Sequence, residues 1–144
     1  MSIEQEILKA HNKYRSEVGL SPLRWSNELE ADAKRWAAQL TKSQKFEHSR
    51  KRDGQGENLW MGTSKRFSFT QMVDSWGEEK KYFKRGAFPN VSTTGKWSDV
   101  GHYTQIVWKD TSHVGCAGFD GPDGKYRLVC RYKKPGNFRG QKPF

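Results

Sequence analysis

The sequence has no long apolar run, no internal repeat and no low-complexity tract. No segment approaches the roughly 20 apolar residues that a helix needs to cross a bilayer, so we expect no membrane-spanning segment. The first ten residues, MSIEQEILKA, contain neither a basic leader nor an apolar core nor a cleavage site, and we do not expect them to form a signal peptide. A chain of 144 residues has the length of one domain, and we expect a single domain over residues 1–144.

Acidic residues are scarce relative to basic ones. The 16 Asp and Glu residues are outnumbered by 26 Lys and Arg residues, and the formal net charge is +10. Such a charge favours anionic partners, namely nucleic acid, an acidic polysaccharide or an anionic membrane surface. The basic residues are nevertheless scattered, and no nucleic-acid recognition motif accompanies them. We therefore expect an ordinary basic surface, keep an anionic polysaccharide or membrane surface as an alternative partner, and do not expect a nucleic-acid partner.

Apolar residues are also few, at 33% of the chain, but 13% of the residues are aromatic and six of them are Trp. Because each aromatic side chain buries a large area, a compact core is feasible. Helical spacing of the apolar residues predicts three helices. They begin at Ser2, at Ser26 or Asn27, and at Thr70, and the third continues to Gly86.

Four further apolar segments have the character of β-strands. Residues 57–61 predict a strand or an ordered loop, and residues 102–109, 113–120 and 125–133 predict three strands. Helices that come first in the chain, followed by an antiparallel meander, indicate an α+β layered domain.

The only two cysteines flank a turn. The sequence GPDG at 121–124 is a strong turn signal between two predicted strands. In a hairpin centred there, Cys116 and Cys130 fall opposite or nearly opposite each other, at the Cα separation that a disulfide requires. We therefore predict a Cys116–Cys130 disulfide, with two buried thiols in a reducing cytoplasm as the alternative. The disulfide indicates a secreted or periplasmic protein whose leader has been removed, and a cytoplasmic location stays open.

His102 and Glu79 occupy positions where a polar site would be built. His102 begins the predicted strand 102–109, at the end of a partly buried row of side chains. On the predicted third helix, Glu79 lies roughly 60° from the centre of the apolar face, and Glu78 roughly 160° from it. Glu79 therefore points along the edge of the buried face and needs a partner, such as a histidine or a metal, whereas Glu78 belongs to solvent.

Glu57 and His48 are weaker candidates. Glu57 adjoins the apolar segment 57–61 and has the same need for a partner. His48 lies in a polar, basic stretch, where a solvated loop residue is the ordinary interpretation. No compact spacing such as HExxH links the four residues, so unrelated polar residues are the alternative to a metal site. His11 lies among the apolar residues of the first helix, and we expect it to be a hydrogen-bonded core residue.

Four segments of the chain resemble the CAP superfamily, which is named for cysteine-rich secretory proteins, antigen 5 and the class one pathogenesis-related proteins. They are HNKYR at 11–15, GENLW at 56–60, GHYTQIVWKDT at 101–111 and LVCRYKKPGNF at 128–138. They occur in the family's order and span nearly the whole chain. The resemblance implies a three-layer α-β-α sandwich with a central antiparallel sheet.

The resemblance also implies a divalent-metal site. The family's two histidines and two glutamates correspond to His48, His102, Glu57 and Glu79. In family members the ion is often zinc, with the histidines as main ligands and the glutamates orienting them or completing the shell. Neutral imidazole and carboxylate both suit zinc.

The function implied by the resemblance is that of a secreted, non-catalytic binding module, a monomer or weak homodimer, whose ligand is a sterol or another lipid. The first alternative is a metal-assisted hydrolase acting on peptide or glycan, since zinc beside a glutamate is a sound hydrolytic arrangement. No nucleophile motif accompanies it, and we do not assign an enzyme activity. The second alternative is adhesion to an acidic polysaccharide or membrane surface.

Overall fold

Three helices of nine residues or more begin at serine N-caps in the computed structural model, which describes residues 1–144. They are α1 (Ile3–Glu17), α2 (Asn27–Ser43) and α3 (Phe69–Gly77). Each helix is preceded by a serine whose side chain accepts a hydrogen bond from a backbone N–H three residues later. The predicted starts of the first two helices are confirmed, and the third begins one residue before the predicted Thr70. None of the helices is long and apolar enough to cross a membrane.

The third helix is shorter than predicted. It ends at Gly77, and the chain tightens into a 3-10 helix at Glu78–Tyr82. The prediction that this helix continues to Gly86 is therefore wrong. Glycine is a poor helix former, and here its missing side chain makes room for the Tyr14 ring of α1. The tightening leaves Glu79 half-buried and Glu78 exposed, as the sequence predicted.

The predicted strand 102–109 is a short helix instead. The helix α4 comprises Gly101–Ile106, so His102 lies on a helix rather than on a strand. Every residue from Tyr103 to Trp108 is buried. A segment that is buried on all sides has no alternation of polar and apolar residues that would distinguish a helix from a strand. Its apolar and β-branched residues therefore resembled those of a core strand.

The sheet contains β1 (Arg24–Trp25), β2 (Gly56–Thr63), β3 (His113–Asp120) and β4 (Lys125–Lys133). Its order is β1-β3-β4-β2, and the three longer strands are antiparallel, while β1 runs parallel to β3. The predicted strands at 113–120 and 125–133 are confirmed, and 57–61 is a strand. The expectation of an antiparallel sheet holds for these three strands, whereas the two-residue β1 makes the sheet mixed.

The two faces of the sheet are covered by different helices. On one face a core cluster joins Cys116, Leu128 and Tyr132 to side chains of α1, α3 and α4. On the other face Leu59 and Val129 pack against α2. The predicted three-layer α-β-α arrangement is therefore confirmed. Within the sheet Cys116 lies opposite Cys130, and the two form a disulfide with an S–S distance of 2.06 Å, as predicted.

Candidate functional site

Glu57 and His48 form the first polar pair of the site. The Glu57 side chain is 0% exposed, and its Oε1 lies 2.6 Å from Nδ1 of His48 and 3.1 Å from the backbone N–H of Ser49. Because a carboxylate only accepts hydrogen bonds, the proton of the neutral imidazole belongs on Nδ1. Nε2 of His48 then carries the lone pair and has no partner within the protein.

The buried charge of Glu57 is compensated across the sheet. Glu57 and Arg131 occupy opposite positions on β2 and β4, and Nε of Arg131 donates to Oε2 of Glu57 at 2.8 Å. The guanidinium also donates to Oε1 of Gln55 at 3.0 Å. The sequence indicated that Glu57 needs a partner but did not identify Arg131. Arg131 is 74 residues away in the sequence, and only the pairing register of β2 and β4 places it opposite Glu57.

Glu79 and His102 form the second pair. Oε1 of Glu79 accepts the backbone N–H groups of His102 and Tyr103, both at 3.0 Å, at the start of α4. Oε2 of Glu79 lies 2.8 Å from Nδ1 of His102. A single carboxylate therefore caps a helix that has no capping side chain of its own and also fixes the imidazole. Nε2 of His102, like that of His48, has no partner within the protein.

Asn58 connects the second pair to the core. Its Nδ2 donates to the carbonyl oxygen of His102 at 3.1 Å and to the hydroxyl of Tyr132 at 3.2 Å. That hydroxyl lies 2.7 Å from Nε2 of His11, which is fully buried. The prediction that His11 is a hydrogen-bonded core residue is confirmed. Burial lowers the pKa of His11 to about 4, so the imidazole is neutral at physiological pH.

The four predicted metal ligands are therefore found as two separate His–Glu pairs. No three His, Cys, Asp or Glu side chains lie close enough together to hold a metal ion as a group. The donor set nevertheless fits zinc, because a zinc-ligating histidine usually has its other ring nitrogen on a carboxylate. His48 and His102 both have this arrangement. The metal site itself stays a prediction.

The sequence is similar to those of known proteins over nearly its whole length. The sequence profile of the CAP family, described as the cysteine-rich secretory protein family, matches residues 8–132. Pathogenesis-related protein 1A of Nicotiana tabacum is 37% identical over 142 residues, which cover 98% of this chain and 80% of that protein. Pathogenesis-related protein 1 of Arabidopsis thaliana is 34% identical over 141 residues, covering 98% of this chain and 82% of that protein.

Solved structures show the same fold. The crystal structure of NaASP2 with Zn²⁺ has a TM-score of 0.83 at 26% identity and covers 100% of this chain and 86% of that chain. The structure of BmVAL-1 has a TM-score of 0.80 at 27% identity, covering 99% of this chain and 81% of that one. The family profile and these relatives show that the chain belongs to the CAP family of cysteine-rich secretory proteins, and the solved structures agree with its three-layer architecture.

Proposed function

We propose that the protein is a secreted binding module that binds a divalent cation, preferably zinc, with His48 and His102 as its ligands. The observation that carries the proposal is the matched arrangement of the two histidines. Each has Nδ1 on a glutamate, at 2.6 Å for His48 and 2.8 Å for His102, and each keeps Nε2 free. In this role Glu57 and Glu79 fix the tautomer and the orientation of the rings.

Zinc bound there would supply a positive centre that attracts an anionic or carbonyl oxygen of a ligand. The residues of the chain supply its surroundings: Arg131 neutralises Glu57, and Glu79 anchors the start of α4. The zinc in the solved structure of NaASP2, 26% identical to this chain, supports the choice of metal. The Cys116–Cys130 disulfide supports secretion, because such bonds persist in oxidising compartments.

Titration calorimetry of the EDTA-treated and dialysed protein with zinc chloride tests this function. We expect one zinc per chain, a loss of binding in His48→Ala and in His102→Ala, and a loss of about 10- to 100-fold in affinity in Glu79→Gln. His113→Ala is the matched control, because Nδ1 of His113 lies 2.7 Å from the Ser112 hydroxyl rather than on a carboxylate. Unchanged zinc binding in the His48→Ala, His102→Ala double variant would contradict the proposal.

An apolar groove supports lipid binding as a second function. It has a volume of about 440 Å³, lies between the start of α1, α2 and the sheet, and nine of its 14 lining residues are hydrophobic. Trp25, Phe69, Phe119 and Tyr126 line it, and Ile3 at its edge is 57% exposed. Ligand sites of proteins are concave, mostly apolar and about 300–1,000 Å³ in volume. The groove suits an acyl chain or a sterol.

Equilibrium binding of radiolabelled palmitate and cholesterol, measured in EDTA so that zinc plays no part, tests this second function. We expect saturable binding of at least one of the two lipids and its loss in Ile3→Asp. Phe138→Asp is the matched control, because Phe138 is 47% exposed but lies outside the groove. Absence of saturable binding of both lipids would refute lipid binding without affecting the zinc proposal.

A further inference from the structure

A second groove, with a volume of about 410 Å³, opens beside His48. It lies between α2, the irregular segment at residues 47–53 and the last strand, and Trp36 is its only hydrophobic lining residue. The indole N–H of Trp36 donates to the carbonyl oxygen of Glu47 at 3.1 Å, and the ring packs against the core cluster that includes Ala33 and Leu40. Trp36 therefore presents a fixed, half-buried aromatic surface to an otherwise polar groove.

Arg131 contributes hydrogen-bond donors to the same groove. The residue is only 4% exposed, and its Nε and Nη1 are engaged by Glu57 and Gln55. Its Nη2 makes no hydrogen bond within the protein. Because Arg131 lines the groove, Nη2 is the nitrogen of its guanidinium left to donate to a ligand there. Because Glu57 and Gln55 fix the position of the guanidinium, its remaining nitrogen is a preorganised hydrogen-bond donor.

The charges around the groove balance one another. Two of its basic residues are already paired, Arg35 with Asp32 and Arg131 with Glu57. Paired in this way, these cations do not attract an anion as free cations would.

The remaining basic residues are matched in number by acidic ones. Arg50 and Lys51 line the groove together with Glu47 and Asp53, and none of the four forms an ion pair. The groove is thus locally neutral although the whole chain carries +10. It combines many donors and acceptors with one aromatic face, and its local charge does not select an anionic ligand.

We propose that this groove binds a neutral oligosaccharide. A pyranose ring has one apolar C–H face and a rim of hydroxyl groups that both donate and accept hydrogen bonds. The C–H face packs on Trp36, since the face of an aromatic ring is electron-rich and attracts polarised C–H groups. The hydroxyl groups bond to Nη2 of Arg131 and to neighbouring polar side chains such as Gln39. None of these contacts requires a metal.

Titration calorimetry of the whole chain in EDTA, with cellotetraose, chitotetraose and mannotetraose as neutral probes and tetragalacturonate as the anionic probe, tests the proposal. We expect at least one neutral tetrasaccharide to bind and Trp36→Ala to weaken its binding about tenfold, which corresponds to about 1.4 kcal/mol. Trp97→Ala is the matched control, because Trp97 is 42% exposed and lies elsewhere on the surface. We expect that control to bind like the unmodified chain.

Gln39→Ala provides a second test, because Gln39 is exposed and its truncation preserves the core even if Trp36→Ala does not fold. We expect this variant to bind the same tetrasaccharide more weakly, about threefold, as the loss of one neutral hydrogen bond implies. The proposal is overturned if no neutral probe binds at millimolar concentration. It is also overturned if only tetragalacturonate binds, or if Trp97→Ala weakens binding as much as Trp36→Ala.

Discussion

The rings of Trp76 and His102 lie nearly parallel, with 5.9 Å between their centroids and 11° between their planes. Trp76 is buried, and its indole N–H donates to the carbonyl oxygen of Leu59 at 3.0 Å. The His102 imidazole is therefore backed on one face by a fixed indole and held at one edge by Glu79. This backing orients the ring before any ligand arrives.

Replacing Trp76 with leucine is expected to destabilise the protein by about 2–4 kcal/mol, because it opens a cavity and leaves the Leu59 carbonyl without its side-chain partner. Urea denaturation followed by circular dichroism measures the change. Trp97, which is 42% exposed, gives the control, and Trp97→Leu should lower the free energy of unfolding by less than Trp76→Leu does. Equal effects of the two substitutions would show that the buried Trp76 contributes no more to stability than the partly exposed Trp97 does.

Replacing Glu57 with glutamine is expected to destabilise the fold by about 3–5 kcal/mol, because it leaves the Arg131 charge buried and unpaired. The double variant Glu57→Gln, Arg131→Met removes that charge and should be more stable than Glu57→Gln alone. Chemical denaturation of both proteins gives the comparison, with exposed Glu78→Gln as the control. A double variant less stable than the single one would rule out this account of the pair.

The stability of the protein should fall as the pH is lowered from 6.5 to 4 because of His11, whose pKa burial lowers from 6.5 to about 4. Above pH 6.5 the imidazole is neutral in both the folded and the unfolded chain and contributes no pH dependence. Between pH 6.5 and 4 the unfolded chain binds the proton and the folded chain does not, which lowers the free energy of unfolding by about 3 kcal/mol in total.

The variant His11→Gln isolates this effect, because glutamine does not titrate while the carboxylates of the protein are unchanged. Urea denaturation at a series of pH values should give a shallower slope for the variant between pH 6.5 and 4. Identical slopes for the two proteins would assign the acid sensitivity to other groups.

Removing the disulfide through Cys116→Ala, Cys130→Ala is expected to lower the free energy of unfolding by about 3 kcal/mol, because the bond closes a loop between cysteines 14 residues apart. Dithiothreitol should lower the stability of the unmodified chain by a similar amount and leave the variant unaffected. If reduction exposes two reactive thiols and the unmodified chain loses no stability, the bond makes no net contribution to stability.

Local features of the sequence were read correctly. The GPDG turn fixed the register that places Cys116 opposite Cys130, and serine caps marked the start of the first two helices. Helix periodicity separated Glu79 from Glu78 even though the helix ends at Gly77, because the 3-10 helix that follows keeps nearly the same rotation over two residues.

Features that depend on distant contacts were not predictable. Arg131 faces Glu57 only through strand pairing, and Trp36 lines a groove only because an irregular segment crosses α2. His102 was assigned to a strand because a fully buried segment has no exposed side to reveal its period. The set of four residues, His48, His102, Glu57 and Glu79, came from the family resemblance, and its division into two His–Glu pairs was not predicted.

The buried chain of contacts from His11 through Tyr132 and Asn58 to His102 has a consequence for biosynthesis. His11 and Tyr132 are separated by 121 residues, and Asn58 links the same Tyr132 hydroxyl to the carbonyl oxygen of His102. Contacts between such distant residues form late, since the intervening loop must close first. On the ribosome, the surroundings of His102 therefore cannot be completed until β4 has emerged. Any truncation or proteolysis that removes β4 also removes Tyr132 and Arg131, which are the hydrogen-bond partners of Asn58 and Glu57.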